Sequence, residues 1–340
     1  MSEFRQNYAT REWVIIAPER AQRPVSLPAA GNSTIAPSLP ETPWSADCPF
    51  CPGNEERTDT ELWRMEEDGA WSMRCIRNKF SALSMDSELT RAGVGRFLRA
   101  GSHGHAEVII ESPLHNCSPA DFDLPRMEAL LGLYLRRMTE ISKLPDIALV
   151  MLFRNHGTAA GTSLPHPHSQ LIASPIIPPH IRDPIQKAMQ HYDTWGSCVY
   201  CDILDEELSQ NDRIISENEH TVAFCPYASR TPYEIRIYPR RHNASYTWVH
   251  SAEIGGIARI LLNALGALHT VLDNPSYNLL LRTSPIGDED VRYLHWYFVI
   301  VPRISTPAGF EMGSGIYINP MPPELCAKQL RAASFARYGS

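Results

Sequence analysis

The sequence predicts an α+β fold built twice over. Three observations carry that prediction: a motif that recurs in both halves, an amphipathic helix after each copy, and apolar strands flanking each helix. The first half contains HAEVIIESPLHN (His105 to Asn116) and the second PYEIRIYPRRHN (Pro232 to Asn243). Aligning the closing His-Asn pairs sets Glu107 against Glu234, each eight residues before its histidine. Both segments run or alternate apolar, through Val108-Ile109-Ile110 and Ile235-Arg236-Ile237-Tyr238, which reads as strand. A helix then follows over 124–144, where Met127, Leu130, Leu131, Tyr134 and Met138 recur at helical spacing. Its counterpart over 251–272 carries Ile254, Ile257, Ile260, Leu261 and Leu265 on one face. Apolar strands come next, at 147–153 and 277–281, then a turn-rich loop, a histidine and a last apolar strand. The halves divide the chain into 1–190 and 191–340, in keeping with roughly 150 residues per domain. Residues 24–47, rich in Pro, Ser and Ala, read as a loop or extended arm, and the tail after Leu330 as frayed.

Composition narrows the partners. The 31 basic and 38 acidic side chains of the 340 residues leave a net charge of −7, with no run of Lys or Arg. Such a chain is poorly suited to nucleic acid or to an anionic membrane surface. The most apolar stretch, Ile254 to Leu272, is interrupted by Arg259, Asn263 and His269, and the N-terminus lacks a signal-peptide core. The expected location is the cytoplasm.

Four of the eight cysteines form two Cys-x-x-Cys pairs, Cys48/Cys51 and Cys198/Cys201. In a reducing compartment this points to metal or redox chemistry, and the prolines and glycine of CPFCPGNEE suit a metal knuckle better than a redox helix start. Each pair is followed by two histidines in the same order: His115 and His166 in the first half, His242 and His295 in the second. Alone, His115 or His242 would be an ordinary strand-end residue; the shared order argues for ligands. Two thiolates and two imidazoles make a tetrahedral set suited to zinc, closed and therefore structural, so two zinc sites are expected, the second being zinc or iron. Catalysis must then lie elsewhere.

The halves differ just past the closing histidine. His166-Pro167-His168-Ser169-Gln170 offers a second imidazole and an amide, where the other half has Tyr297 and Val299. On a strand His166, His168 and Gln170 would share one face. That layout suits a nucleophilic imidazole, His168, attacking phosphorus, with Gln170 stabilising charge on the phosphate oxygens. The preceding loop, from Arg154 to Ser163, is rich in Gly and small hydroxyl residues and lets backbone amides approach a phosphate.

These residues resemble the galactose-1-phosphate uridylyltransferase family of the histidine-triad superfamily, over almost the whole chain. His166 to Gln170 match its His-Pro-His-x-Gln motif, and Cys48, Cys51 and His115 its metal knuckle. Arg20 and Arg23 in PERAQRP, Asn78 in RNKFSAL, and Asn155, Gly161 and Ser163 in the phosphate loop match its substrate contacts. The resemblance implies two tandem histidine-triad-like repeats, each a mainly antiparallel sheet with helices packed on it, in a homodimer. It also implies ping-pong transfer: His168 takes the nucleotide from a nucleoside diphosphate sugar, sugar 1-phosphate leaves, and a second phosphate-bearing acceptor takes the nucleotide. The type implied is UDP-glucose:hexose-1-phosphate uridylyltransferase. The second Cys-x-x-Cys, the Ser of HPHSQ and the ending GFEMGSGIYINP are more similar to the family's ADP-glucose phosphorylase branch, with adenylate transferred to phosphate. Phe310 and Glu311 are placed near the sugar by the same resemblance. Hydrolysis, as in single-domain histidine-triad proteins, and a nucleotide-binding zinc scaffold without turnover are the lesser alternatives.

Overall fold

The computed structural model describes residues 1–22 and 39–338. The strands in chain order are β1 (Glu3–Gln6), β2 (Trp13–Ile16), β3 (Glu61–Glu67), β4 (Ala70–Arg77), β5 (Arg91–Val94), β6 (Phe97–Ala100), β7 (His105–Ile110), β8 (Leu149–His156) and β9 (His168–Ser174). The second half adds β10 (Ile214–Glu217), β11 (Thr221–Phe224), β12 (Ile235–Pro239), β13 (Tyr277–Arg282), β14 (Tyr297–Pro302) and β15 (Tyr317–Asn319). The helices are α1 (Leu124–Ile141), α2 (Pro179–Trp195), α3 (Val199–Gln210), α4 (Ser251–Leu272), α5 (Gly309–Ser314) and α6 (Pro323–Tyr338).

Ten strands form one sheet in the order β10-β11-β12-β14-β13-β8-β9-β7-β4-β3. Every pairing in it is antiparallel. Read outward from the β13–β8 seam, each side has the same five-strand arrangement, so β8, β9, β7, β4 and β3 correspond to β13, β14, β12, β11 and β10. The internal repeat is thus a repeat of structure. The seam pairs Tyr277 with His156 and Leu280 with Phe153, which makes the two halves one continuous sheet. A small separate sheet joins the chain ends, with β15 parallel to β2.

One face of the long sheet is apolar and packs against α1, α4 and α6, while α2 and α3 cover part of the second half's opposite face. Met127, Leu130, Leu131, Tyr134 and Met138 of α1 are all at most 2% exposed, as the periodicity required. Burying each is worth about 1.5–3 kcal/mol. Asp123 caps α1 by accepting from the Arg126 N–H (2.9 Å), with Pro125 in the first turn. α4, mean hydropathy 1.4, is long and apolar enough to cross a bilayer by length and composition alone. Here ten of its residues, among them Ile257, Ile260, Leu261 and Leu265, are buried in the core shared with α1.

Three expectations need correction. The chain past Leu330 is not frayed: α6 runs to Tyr338, with Leu330 fully buried. His166 lies in the loop ahead of β9, which begins at His168. Glu107 and Glu234 are not counterparts. Gln170 on β9 pairs with Val108, whereas Val299 on β14 pairs with Arg236, so Glu107 corresponds to Ile235. The one-residue offset arises because β12 reaches its His-Asn one residue sooner than β7, and a slip of one residue turns a side chain to the other face. Glu107 accordingly faces α1, buried against Arg137 (2.6 Å) and His105 (2.8 Å). Burial alone would raise its pKa, but those two partners hold it down to about 2.

Candidate active site and metal clusters

The face of the sheet turned away from α1 and α4 carries the chemistry. Side chains paired across neighbouring strands point the same way, so Ile110 and Val108 of β7, His168 and Gln170 of β9, and Phe153 of β8 share this face. Extending the β8–β9 register by two further positions brings Asn155 level with His168.

Cys48, Cys51, His115 and His166 converge with their ligand atoms all within 4.8 Å of one another, and all four residues are buried. Cys51 Sγ lies 3.5 Å from His115 Nδ1 and 3.6 Å from His166 Nδ1, and the two Nδ1 atoms are 3.3 Å apart. His166 donates from Nε2 to the Ser112 carbonyl (2.8 Å), which leaves its Nδ1 lone pair free for a metal. Burial keeps His166 neutral, its pKa lowered to about 4. Cys198, Cys201, His242 and His295 repeat the arrangement, with His295 Nε2 donating to the Pro239 carbonyl (3.0 Å). There Cys201 is half-buried and His242 exposed. Either cluster could hold a metal ion.

His168 stands beside the first cluster. Its Nδ1–H donates to the His166 carbonyl (2.8 Å), so Nε2 carries the lone pair and makes no hydrogen bond among the described residues. The knuckle residue Phe50 packs edge-on against it, ring centroids 5.4 Å apart. Burial lowers the His168 pKa, the bond to His166 works against that, and the nearby Arg154 charge adds to the lowering. A neutral, oriented imidazole results, which is the form a nucleophile needs.

Behind β9, on the helix side, lies a polar cluster that the sequence did not announce. Glu111, fully buried, accepts from Ser169 Oγ (2.8 Å), Tyr134 OH (3.2 Å) and Arg154 Nε (3.0 Å). Ser169 is the residue next to His168, so this cluster braces β9 from the far face. Nothing local marks it, because its members come from β8, β9, α1 and the end of β7; the only signal is an acid directly after an apolar strand.

The remaining predicted residues are placed as follows. Asn155 accepts from Asn278 Nδ2 (2.8 Å), a bond across the seam between halves. Gly157 and Gly161 adopt positive φ (79° and 88°), shaping the loop in which Gly161 and Ser163 are exposed. Asn78 follows β4 and accepts from the Phe80 N–H (3.0 Å). Arg20 is exposed in a short turn over Pro18–Gln22, and Arg23 lies outside the described residues. Phe310 is half exposed, and Glu311 caps its own helix by accepting from the Ala308 N–H (3.0 Å).

A family model described as galactose-1-phosphate uridyl transferase, N-terminal domain, matches residues 1–178, and one for a domain of unknown function, DUF4921, matches 127–336. ADP-glucose phosphorylase of Arabidopsis thaliana is 32% identical, over 98% of this chain and 93% of its own. A galactose-1-phosphate uridylyltransferase of Thermotoga maritima is 27% identical over 97% and 98%. The crystal structure of the Arabidopsis phosphorylase with bound ADP-glucose superposes with a TM-score of 0.81 at 30% identity, covering 97% of this chain and 99% of that one. The paired Cys2His2 clusters, the oriented imidazole beside the first of them, and these full-length likenesses lead to one conclusion: the chain belongs to the galactose-1-phosphate uridylyltransferase family.

Proposed function

We propose that this chain is a nucleotidyltransferase of the UDP-glucose:hexose-1-phosphate uridylyltransferase type, working through a covalent nucleotide on His168. The observation that carries this reading is the His168 hydrogen bond to the His166 carbonyl, which commits the lone pair to Nε2. Nε2 attacks the α-phosphorus of a nucleoside diphosphate sugar; an N–P bond forms, the bridging P–O bond breaks, and sugar 1-phosphate departs with both electrons of that bond. A phosphate oxygen of the acceptor then attacks the same phosphorus, breaks the N–P bond and returns neutral His168. Gln170, two residues along the same face, supplies an amide N–H to the phosphate oxygens as negative charge builds. Asn155, Gly161 and Ser163 serve the phosphates, Arg20, Arg23 and Asn78 the nucleotide, and Phe310 and Glu311 the sugar.

Cys48, Cys51, His115 and His166 would hold zinc. Bond lengths of about 2.3 Å to sulfur and 2.0–2.1 Å to nitrogen at tetrahedral angles require S···N edges of about 3.5–3.6 Å and N···N edges of about 3.3–3.4 Å. The separations of 3.5, 3.6 and 3.3 Å match them. Zinc there supplies folding energy and rigidity, fixing the His166 carbonyl that orients His168. Cys198, Cys201, His242 and His295 would hold a second ion.

A second reading, ADP-glucose phosphorylase, is favoured by the greater identity to the Arabidopsis enzyme, 32% against 27%. One experiment tests both. UDP-glucose and ADP-glucose, each labelled at the α-phosphate, are incubated separately with the protein. Acid-labile, alkali-stable label from UDP-glucose supports the first reading and from ADP-glucose the second. His168→Gly should take no label while keeping its metal. Absence of label from both donors, with metal bound, would overturn the mechanism.

A further inference from the structure

The second half keeps a cleft where the first half keeps its nucleophile. By strand register Tyr297 takes the place of His168, Val299 that of Gln170, Arg236 that of Val108 and Arg282 that of Asn155. These residues line a cavity of about 370 Å³, at the lower end of the range for small-molecule sites, roughly 300–1,000 Å³. His295 of the second metal cluster borders it, much as His166 stands beside His168.

Its chemistry is cationic, against the trend of a chain with net charge −7. Five basic side chains reach it: Lys187, Arg230, Arg236, Arg282 and Arg303. Two are spoken for, Arg230 by Glu12 and Arg236 by Glu234, and Lys187 donates to the Thr10 carbonyl. Arg282 and Arg303 have no ion pair or side-chain hydrogen bond among the described residues, and Asp183 is the one remaining carboxylate on the wall. Two wall hydroxyls, Thr231 Oγ1 and Ser284 Oγ, have no hydrogen-bond partner although their residues are only 9% and 7% exposed. The Arg236 guanidinium sits over the Tyr297 ring at 5.8 Å, which orients it on the cavity face. Planar guanidinium forks without a carboxylate partner are the equipment for a phosphate group. Tyr297 stands where the first half has His168; of the two histidines on the wall, His295 belongs to the metal cluster and His180 lies on α2, outside the strand position a nucleophile would take.

We propose that this cavity is a second ligand site, one that binds a small phosphorylated molecule of the sugar-phosphate or nucleotide class and does not cleave it. The site is independent of whether His168 turns over. Isothermal titration of the full chain with UDP, ADP, glucose 1-phosphate and inorganic phosphate tests it. For at least one of them the expected stoichiometry is two per chain, falling to one in the Arg282→Glu/Arg303→Glu variant, with the transfer rate at saturating substrate unchanged within twofold. The four probes separate a nucleotide from a sugar-phosphate or simple phosphate preference. Should the double variant fold poorly, Arg303→Glu alone, at an exposed position, should weaken only the second binding event about tenfold. No more than one equivalent of every probe in the unaltered protein would overturn the proposal, as would two equivalents bound with unaltered affinity in the variants.

Discussion

Replacing Glu111 by Gln probes the bracing behind His168 most directly. The carboxylate is fully buried and meets three donors, from Arg154, Ser169 and Tyr134, at 3.0, 2.8 and 3.2 Å. Arg154 is itself only 3% exposed. Glu111→Gln keeps the shape and removes the charge, leaving a guanidinium in the interior without its counter-ion. Breaking a buried pair on one side costs about 3–5 kcal/mol, mostly the desolvation of the orphaned charge. Guanidinium chloride unfolding, followed by midpoint at constant slope, reads the loss. If the cost is electrostatic, the double change Glu111→Gln/Arg154→Met should recover most of it, because the orphaned charge goes too. The unbalanced Arg154 should also lower the His168 pKa further, moving the acid limb of the transfer rate to lower pH. A single-variant loss below about 1 kcal/mol, or a double variant no more stable than the single one, would refute the reasoning.

Gln170→Ala should lower the transfer rate about 10²–10³-fold if the amide stabilises developing charge; an unchanged rate in single-turnover kinetics removes it from the site. The pH–rate profile should have its acid limb below the ordinary histidine value of about 6.5, because burial lowers the His168 pKa and the neutral form is the nucleophile; a limb at or above that value would contradict the assignment. His156, with a pKa lowered to about 3 by burial, is protonated more readily unfolded than folded. Its share of stability is present above pH ~6.5 and is lost at about 1.4 kcal/mol per pH unit as pH falls from there toward 3, which denaturation at pH 7, 5.5 and 4.5 measures. His156→Asn should flatten that slope, and an equal slope would refute the share. Chelator should strip the second cluster before the first, since Cys201 is half-buried and His242 exposed while all four residues of the first cluster are buried. Cys201→Ser should abolish the faster phase of metal release; loss from the buried cluster first would count against it.

Much of the site was legible in the chain itself. The duplicated Cys-x-x-Cys…His…His order singled out both ligand sets, and both converge. A divergence between the halves just past the closing histidine, His168 against Tyr297, singled out the nucleophile proposed above. The amphipathic helices were legible as well, since a period near 3.6 shows which side must be buried before anything packs on it. Glu107 shows the limit: matched to Glu234 by motif spacing, it belongs opposite Ile235 by hydrogen-bond register, on the other face of the sheet. Motif spacing counts residues along the chain, whereas register is settled by which backbone groups pair across strands.

The sequence by itself determined the repeat, the two Cys2His2 clusters and the candidate imidazole beside the first, because each depends on residue identity at short or repeated intervals. Tertiary structure decided the rest: that the halves fuse into one sheet at the β8–β13 seam, that Phe50 of the knuckle packs on His168, that Glu111 and Arg154 brace β9 from behind, and that unpaired arginines gather in the second half's cleft. These are meetings of residues far apart in sequence. Their partners follow from how strands pair and from what burial demands of a charge, and no local pattern encodes either.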